Sequence, residues 1–193
     1  MSVTRNRRER ERAERHRLIL SVARELAEAE GWEAVTTRRL AERVEYSQPV
    51  LYSHFENKDA IVAAVALEGF AELAELLRRA RTGARGPKRN RGLRAVCRAY
   101  LRFAAERPAL YQAMFVLPTR LKFADEDTPA PLRNGFEEFV KALPEDTADP
   151  EGVAELVWAA LHGISALSAT GRIPRRADRA RLDLLVESFA PSE

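Results

Sequence analysis

Between Thr37 and Lys58 the chain gathers side chains of the kinds that read and hold nucleic acid. A guanidinium can meet guanine O6 and N7 with two hydrogen bonds, and a carboxamide can meet adenine N6 and N7 in the same way. Arg38 and Gln48 are therefore the expected base readers, each carrying about 1–3 kcal/mol of discrimination. Pro49 and Val50 offer apolar surface to a thymine methyl. Thr37, Tyr52, His54 and Lys58 supply hydroxyl, imidazole and ammonium groups suited to phosphate oxygens, which set position without reading sequence. For His54, local capping or packing is the competing reading.

Two short helices must position these groups. Thr36 or Thr37 can accept a hydrogen bond from the unpaired N–H groups at a helix start, and Leu40, Ala41 and Val44 follow at helical spacing. Glu45 and Tyr46 interrupt. Ser47 then offers a second cap, with Pro49 in the first turn, where its missing N–H costs nothing. Leu51, helped by Phe55, pins the second helix and leaves an arc of Gln48, Pro49 and Tyr52 exposed. An ordinary solvent face would carry Glu, Lys and Ala; amide, pyrrolidine ring and phenol are poor helix formers that suit base edges. The pattern reads as a helix-turn-helix, the unit that lays its second helix in the major groove.

Thr36-Thr37-Arg38-Arg39-Leu40-Ala41, then Ser47-Gln48-Pro49, Leu51-Tyr52, His54-Phe55 and Asn57-Lys58, resembles the DNA-binding region of the TetR family of bacterial transcriptional regulators, from about Leu18 to Leu67. The family often has glycine in the turn between the helices. This chain has Glu45, so a side chain must be managed where a left-handed backbone is common. The resemblance implies an all-α fold: an N-terminal three-helix helix-turn-helix domain joined by a long helix to a larger helical ligand-binding and dimerisation domain.

The 193 residues, 46% hydrophobic and 32% charged, can bury a real core in one domain or two small ones. No run approaches the roughly 18 consecutive apolar residues of a membrane span, and the N-terminus is charged, so no membrane partner and a cytoplasmic location are expected. Cys97 is the lone cysteine and reads as buried. The net charge of +3 is modest, but residues 1–17 hold seven arginines against Glu9, Glu11 and Glu14, with no apolar stripe. This basic arm has two readings: phosphate or minor-groove contact, or a charge-paired extension of the first helix.

The boundaries expected are 1–17 for the arm, 18–60 for the helix-turn-helix domain and 61–193 for the regulatory and dimerisation domain. From Leu18 the apolar residues recur at three and four until Gly31, with Trp32 as core beneath the helix pair. Asn57 caps a long helix from Lys58 towards Arg79, whose start, with its amides and the Lys58 ammonium, suits a phosphate. The stretch 81–92 reads as a basic loop. Further helices are expected at 93–106, 109–117, 132–143, 153–170 and 177–189, with a polar connector at 121–131.

The helix from Val153 is apolar on more than one side and carries Gly163 among small residues, so it and the last helix can supply a dimer seam. Its Trp158-Ala159-Ala160-Leu161-His162-Gly163 resembles the W-x-x-L-H-G signature of one TetR regulatory-domain subgroup, and Arg107-Pro108-Ala109-Leu110-Tyr111 with Met114-Phe115 fits that subgroup. The resemblance implies a homodimer through the last two helices, a palindromic double-stranded DNA operator and a small-molecule effector. Tyr100, Phe103, Tyr111, Met114, Phe115, Trp158 and His162 are the candidates for lining an effector pocket, and such a lining suits an apolar or aromatic ligand. The competing reading for each is core packing.

Enzyme readings fare poorly. His16, His54 and His162 lie far apart, no H-x-x-x-H or C-x-x-C spacing occurs, and no glycine-rich phosphate loop follows a strand, so no cofactor or metal is expected. A sequence-indifferent architectural DNA binder would need basic charge along a whole face and wedge residues for the minor groove. This chain instead concentrates its unusual chemistry on one short helix.

Overall fold

The computed structural model describes residues 2–85, 89–119, 121–122, 125–174 and 178–190, and among them it is all-helical, with no strand. The centre of the expected 81–92 loop (86–88), residues 123–124 of the connector and Ala177 lie outside the described residues, as does the side chain of Arg5. The described residues form two compact units, one of residues 1–67 with 107–121, the other of 68–106 with 122–193.

In the first unit α1 runs from Ser2 to Glu30, sixteen residues ahead of the start expected at Leu18. The early stretch has no apolar stripe. It has i,i+4 ion pairs instead, Glu11 lying 2.8 Å from Arg7 and 3.6 Å from Arg15, so the arm is an extension of the first helix. From Ile19 onward α1 buries Ile19, Ala23, Leu26 and Ala27. Gly31, at φ 85°, stops it, its N–H donating to the Ala27 carbonyl at 2.8 Å. A 3-10 turn, Trp32–Ala34, follows.

Trp32 is core, as expected, and its indole Nε1 donates to the carbonyl of Ala109 at 2.7 Å. Ala109 belongs to α6 (Pro108–Phe115), whose first turn has no cap from its own flanking residue Arg107. Glu28 of α1 supplies one. Its carboxylate accepts from the N–H groups of Ala109 at 3.2 Å and Leu110 at 3.0 Å, satisfying two donors that a helix start leaves unpaired.

The second unit is built on α5 (Arg91–Glu106), which buries Leu93, Val96, Cys97, Tyr100 and Phe103 along one stripe. Against it pack α7 (Ala130–Val140), α8 (Pro150–Ala169) and α9 (Asp178–Phe189). Burial pushes the Cys97 thiol up to about 12, so it behaves as a small apolar residue. Ion pairs tie the unit together: Arg81 to the buried Glu138 at 2.7 Å, and Arg94 to Asp183, with Glu187 at 3.7 Å. Asp149 caps α8, accepting from Gly152 N–H at 3.0 Å, with Pro150 at the first helical position.

Only Ala154, Val157 and Leu161 of α8 are buried in the chain, while Leu156 is 58% and Leu167 41% exposed, as is Leu184 of α9 at 70%. These two α8 leucines are eleven residues apart, three turns, and so share one face. Although no unbroken apolar run in the sequence is span-like, α8, at 20 residues with a mean hydropathy of 1.3, is long and apolar enough by length and composition to cross a membrane. It carries Glu151 and Glu155 in its first two turns, both exposed.

Candidate nucleic-acid interface

The helix-turn-helix comprises α2 (Thr37–Val44) and α3 (Gln48–Tyr52), followed by α4 (Lys58–Gly83). Thr36 is the cap of α2, its Oγ1 accepting from Arg39 N–H at 3.3 Å, while Leu40, Ala41 and Val44 are buried. At the turn Glu45 takes the left-handed conformation, φ 57° and ψ 34°, the position where the family often has glycine. There the N–H of Tyr46 reaches back to the Ala41 carbonyl at 3.0 Å, closing the helix end. Among the described residues Glu45 is the one non-glycine with positive φ.

Ser47 occupies the cap position of α3, but its hydroxyl accepts no cap hydrogen bond, contrary to the expectation. Its carbonyl does the work, accepting from Val50 at 3.0 Å and Leu51 at 3.3 Å. Leu51, 1% exposed, and Phe55, 6%, pin the helix, and Gln48, Pro49 and Tyr52 stand exposed with Val50 half-buried at their edge. A five-residue helix has little stability of its own, so these two anchors fix where the exposed edge points.

Adjacent arginines on α2 take different parts. Arg39 forks onto Glu30 at the end of α1, with contacts of 2.8 and 2.9 Å, and holds that carboxyl below its usual range. Arg38 points outward, its side chain 80% exposed and paired along the helix with Glu42 at 3.0 Å. Such a surface pair is weak and can be exchanged for a base edge or a phosphate.

The other positioning candidates are more embedded. Thr37 is half-buried. Lys58 is half-buried too, and its ammonium donates one of its three N–H groups to the Trp32 carbonyl at 2.6 Å. Asn57 caps α4, accepting from Ala60 N–H at 2.9 Å, as its position in the sequence implies. His54 is half-buried; burial, then Arg12, His16 and Arg15, keep its imidazole below the ordinary value of 6.5. Sequence reasoning missed what holds this corner: Arg12 Nη2 donates to the Ser53 carbonyl at 3.2 Å, and the His16 ring stacks on Phe55 with centroids 4.5 Å apart.

The proposed effector-pocket residues divide between the units. Tyr111, Met114 and Phe115 lie in the first, where the Tyr111 and Phe115 rings approach to 4.7 Å. Tyr100, Phe103, Trp158 and His162 lie in the second. There the indole of Trp158 donates to the Tyr100 hydroxyl at 3.3 Å, and its ring meets Phe136 edge-on at 6.5 Å. Burial lowers the His162 pKa.

Residues 19–65 match the description "Bacterial regulatory proteins, tetR family", and residues 93–189, half of the chain, match "Tetracyclin repressor-like, C-terminal domain". The chain belongs to the TetR family. Two relatives of this TetR-family protein are matched over less than half of their own length. The tetracycline repressor protein class C of Escherichia coli is 50% identical over 48 residues, a match spanning 25% of this chain and 22% of that relative. The HTH-type transcriptional regulator YobS of Bacillus subtilis is 29% identical over 97 residues, 50% of this chain and 49% of that relative. Two solved structures share the fold. A TetR-family transcriptional regulator from Pectobacterium atrosepticum is 23% identical, with a TM-score of 0.69 over 93% of this chain and 92% of that one. BioQ with its natural double-stranded DNA operator is 21% identical, with a TM-score of 0.62 over 91% and 97%. The family to which the chain belongs is one of bacterial regulatory proteins, and it points to regulation rather than catalysis.

Proposed function

We propose that this regulator is a cytoplasmic repressor that binds a palindromic operator as a homodimer and is released by a small apolar or aromatic effector. The observation that carries the reading is the edge of α3: Gln48, Pro49 and Tyr52 stand exposed on a helix that Leu51 and Phe55 lock in place. In this reading residues 18–60 read DNA, with Arg38 and Gln48 on base edges, Pro49 and Val50 on thymine methyls, and Thr37, Tyr52, His54 and Lys58 on phosphates.

One such helix covers few base pairs, so specific binding calls for two, about 34 Å apart on a two-fold axis. The exposed Leu156 and Leu167 on α8 support a dimer seam through α8 and α9. Residues 61–193 then carry the seam and the effector response, and the W-x-x-L-H-G motif at Trp158–Gly163 supports assignment to the subgroup with that signature. An effector that fits only a dimer with misplaced reading helices lowers DNA affinity by its preference between the two states; a factor of 100 takes about 2.7 kcal/mol.

A competition titration tests the reading. The chain is bound to a duplex selected from a random library and challenged with excess scrambled duplex. Resistance to the competitor, and its loss in Gln48→Ala and Arg38→Ala, is the expected result. Equal displacement by any sequence would instead indicate an architectural binder.

A further inference from the structure

Arg8, Arg12 and Arg15 recur at four and three along α1, which places them on one face of the helix; at 100° per residue Arg10 and Arg17 fall on the opposite face. The first face lies against the end of α3, where Arg12 Nη2 donates to the Ser53 carbonyl. Between the two elements Arg8, Glu11, Arg12, Arg15, Ser53 and His54 line an open groove of about 260 Å³.

The groove carries surplus positive charge. Three guanidinium groups face one carboxylate, and that carboxylate, Glu11, is shared between Arg15 at 3.6 Å and Arg7 at 2.8 Å. The Ser53 hydroxyl donates to the Val50 carbonyl at 2.6 Å, and α3, Gln48–Tyr52, carries no acidic side chain to neutralise the site. The His54 imidazole, kept mostly neutral at neutral pH by burial and its cationic neighbours, can donate one N–H there without adding to the repulsion. Its position also matters. Ser53 and His54 directly follow Tyr52, the last residue of the exposed α3 edge, so a strand bordering a groove filled by α3 passes this corner.

We propose that this groove is a binding site for backbone phosphodiesters of duplex DNA flanking the base pairs met by α3, with Arg8 and Arg12 as the main ligands and Arg15 and His54 completing it. The proposal rests on the reading of α3 as the helix that enters the major groove. Residues 8–16 then lengthen the contact along the backbone without adding sequence preference.

The test measures the affinity of the full chain for the library-selected duplex and for a scrambled duplex of equal length across a potassium chloride series. The variants are Arg8→Ala, Arg8→Ala/Arg12→Ala and, on the far face, Arg10→Ala/Arg17→Ala. Each phosphate contact adds about 0.9 to the slope of log affinity against log salt. Arg8→Ala is expected to reduce the slope by about one and the Arg8/Arg12 pair by about two, equally on both duplexes, with the preference between duplexes kept. The far-face pair is expected to leave the slope nearly unchanged. Because Arg12 also tethers Ser53, Arg8→Ala is the deciding variant. An unchanged slope in Arg8→Ala, or an equal drop in the far-face pair, overturns the groove while leaving the reading of α3 intact. Failure of the wild-type chain to bind either duplex overturns both.

Discussion

The ammonium of Lys58 donates to the backbone carbonyl of Trp32 across 2.6 Å, joining the first residue of α4 to the turn that follows α1. A hydrogen bond from a charged donor in a half-buried place contributes about 1–2 kcal/mol. Lys58→Ala is therefore expected to act twice. In urea titration it lowers unfolding stability by about that amount, and in DNA titration it weakens binding to every sequence and reduces the salt slope by about one. A phosphate hook alone would leave the urea midpoint where it was.

Glu45 holds a left-handed backbone, φ 57°, that costs a residue with a Cβ roughly 1 kcal/mol relative to glycine. Glu45→Gly is expected to raise stability by about 0.5–1 kcal/mol, and Glu45→Val to lower it by at least as much. Neither variant touches the α3 edge, so sequence preference in the competition titration should be unchanged.

Leu156 and Leu167, on one face of α8, leave large apolar side chains exposed at 58% and 41%. Gly163, between them, has nothing within 4 Å of where a Cβ would lie. Leu156→Glu/Leu167→Glu is expected to retain the helical circular dichroism of the wild type and to sediment as a monomer, with DNA affinity reduced at least about tenfold because one reading helix binds alone. A double variant that still sediments as a dimer would move the seam elsewhere.

His54 and His162 both have pKa values below the ordinary 6.5, the first through burial and neighbouring Arg12, His16 and Arg15, the second through burial. The folded chain thus binds fewer protons at these sites than the unfolded one. Their contribution to stability is fully present above about pH 6.5 and is lost as pH falls through the depressed folded values. Glu75, held down at about 2 chiefly by bonds from Arg78 and then Arg79, stays ionised throughout that window. Urea midpoints are expected to fall on acidification from about pH 7.5 to about 5.5, and His54→Gln/His162→Gln to flatten that fall.

The reading helices are legible in the sequence because their signals are local. The Leu40, Ala41 and Val44 stripe and the Leu51 and Phe55 anchors are set by spacing within a few residues, and so is the Asn57 cap. What stays hidden depends on partners far along the chain. Nothing periodic announces that Glu28 caps α6, that Lys58 bonds to Trp32, or that His16 stacks on Phe55. The helical state of residues 2–17 is legible only as one of two readings, since charge pairs rather than an apolar stripe support it. Ser47 shows the opposite failure: a favourable residue type at the right place whose hydroxyl makes no cap bond.

The first unit takes its core from two stretches of chain separated by residues 68–106. On a ribosome, the nascent reading helices therefore emerge well before Ala109 arrives to accept the hydrogen bond from the Trp32 indole and before α6, with its buried Leu110 and Met114, arrives to pack against α1. The same holds for an excised fragment ending at residue 67. It would keep every side chain expected to face DNA, yet it would be missing part of its floor.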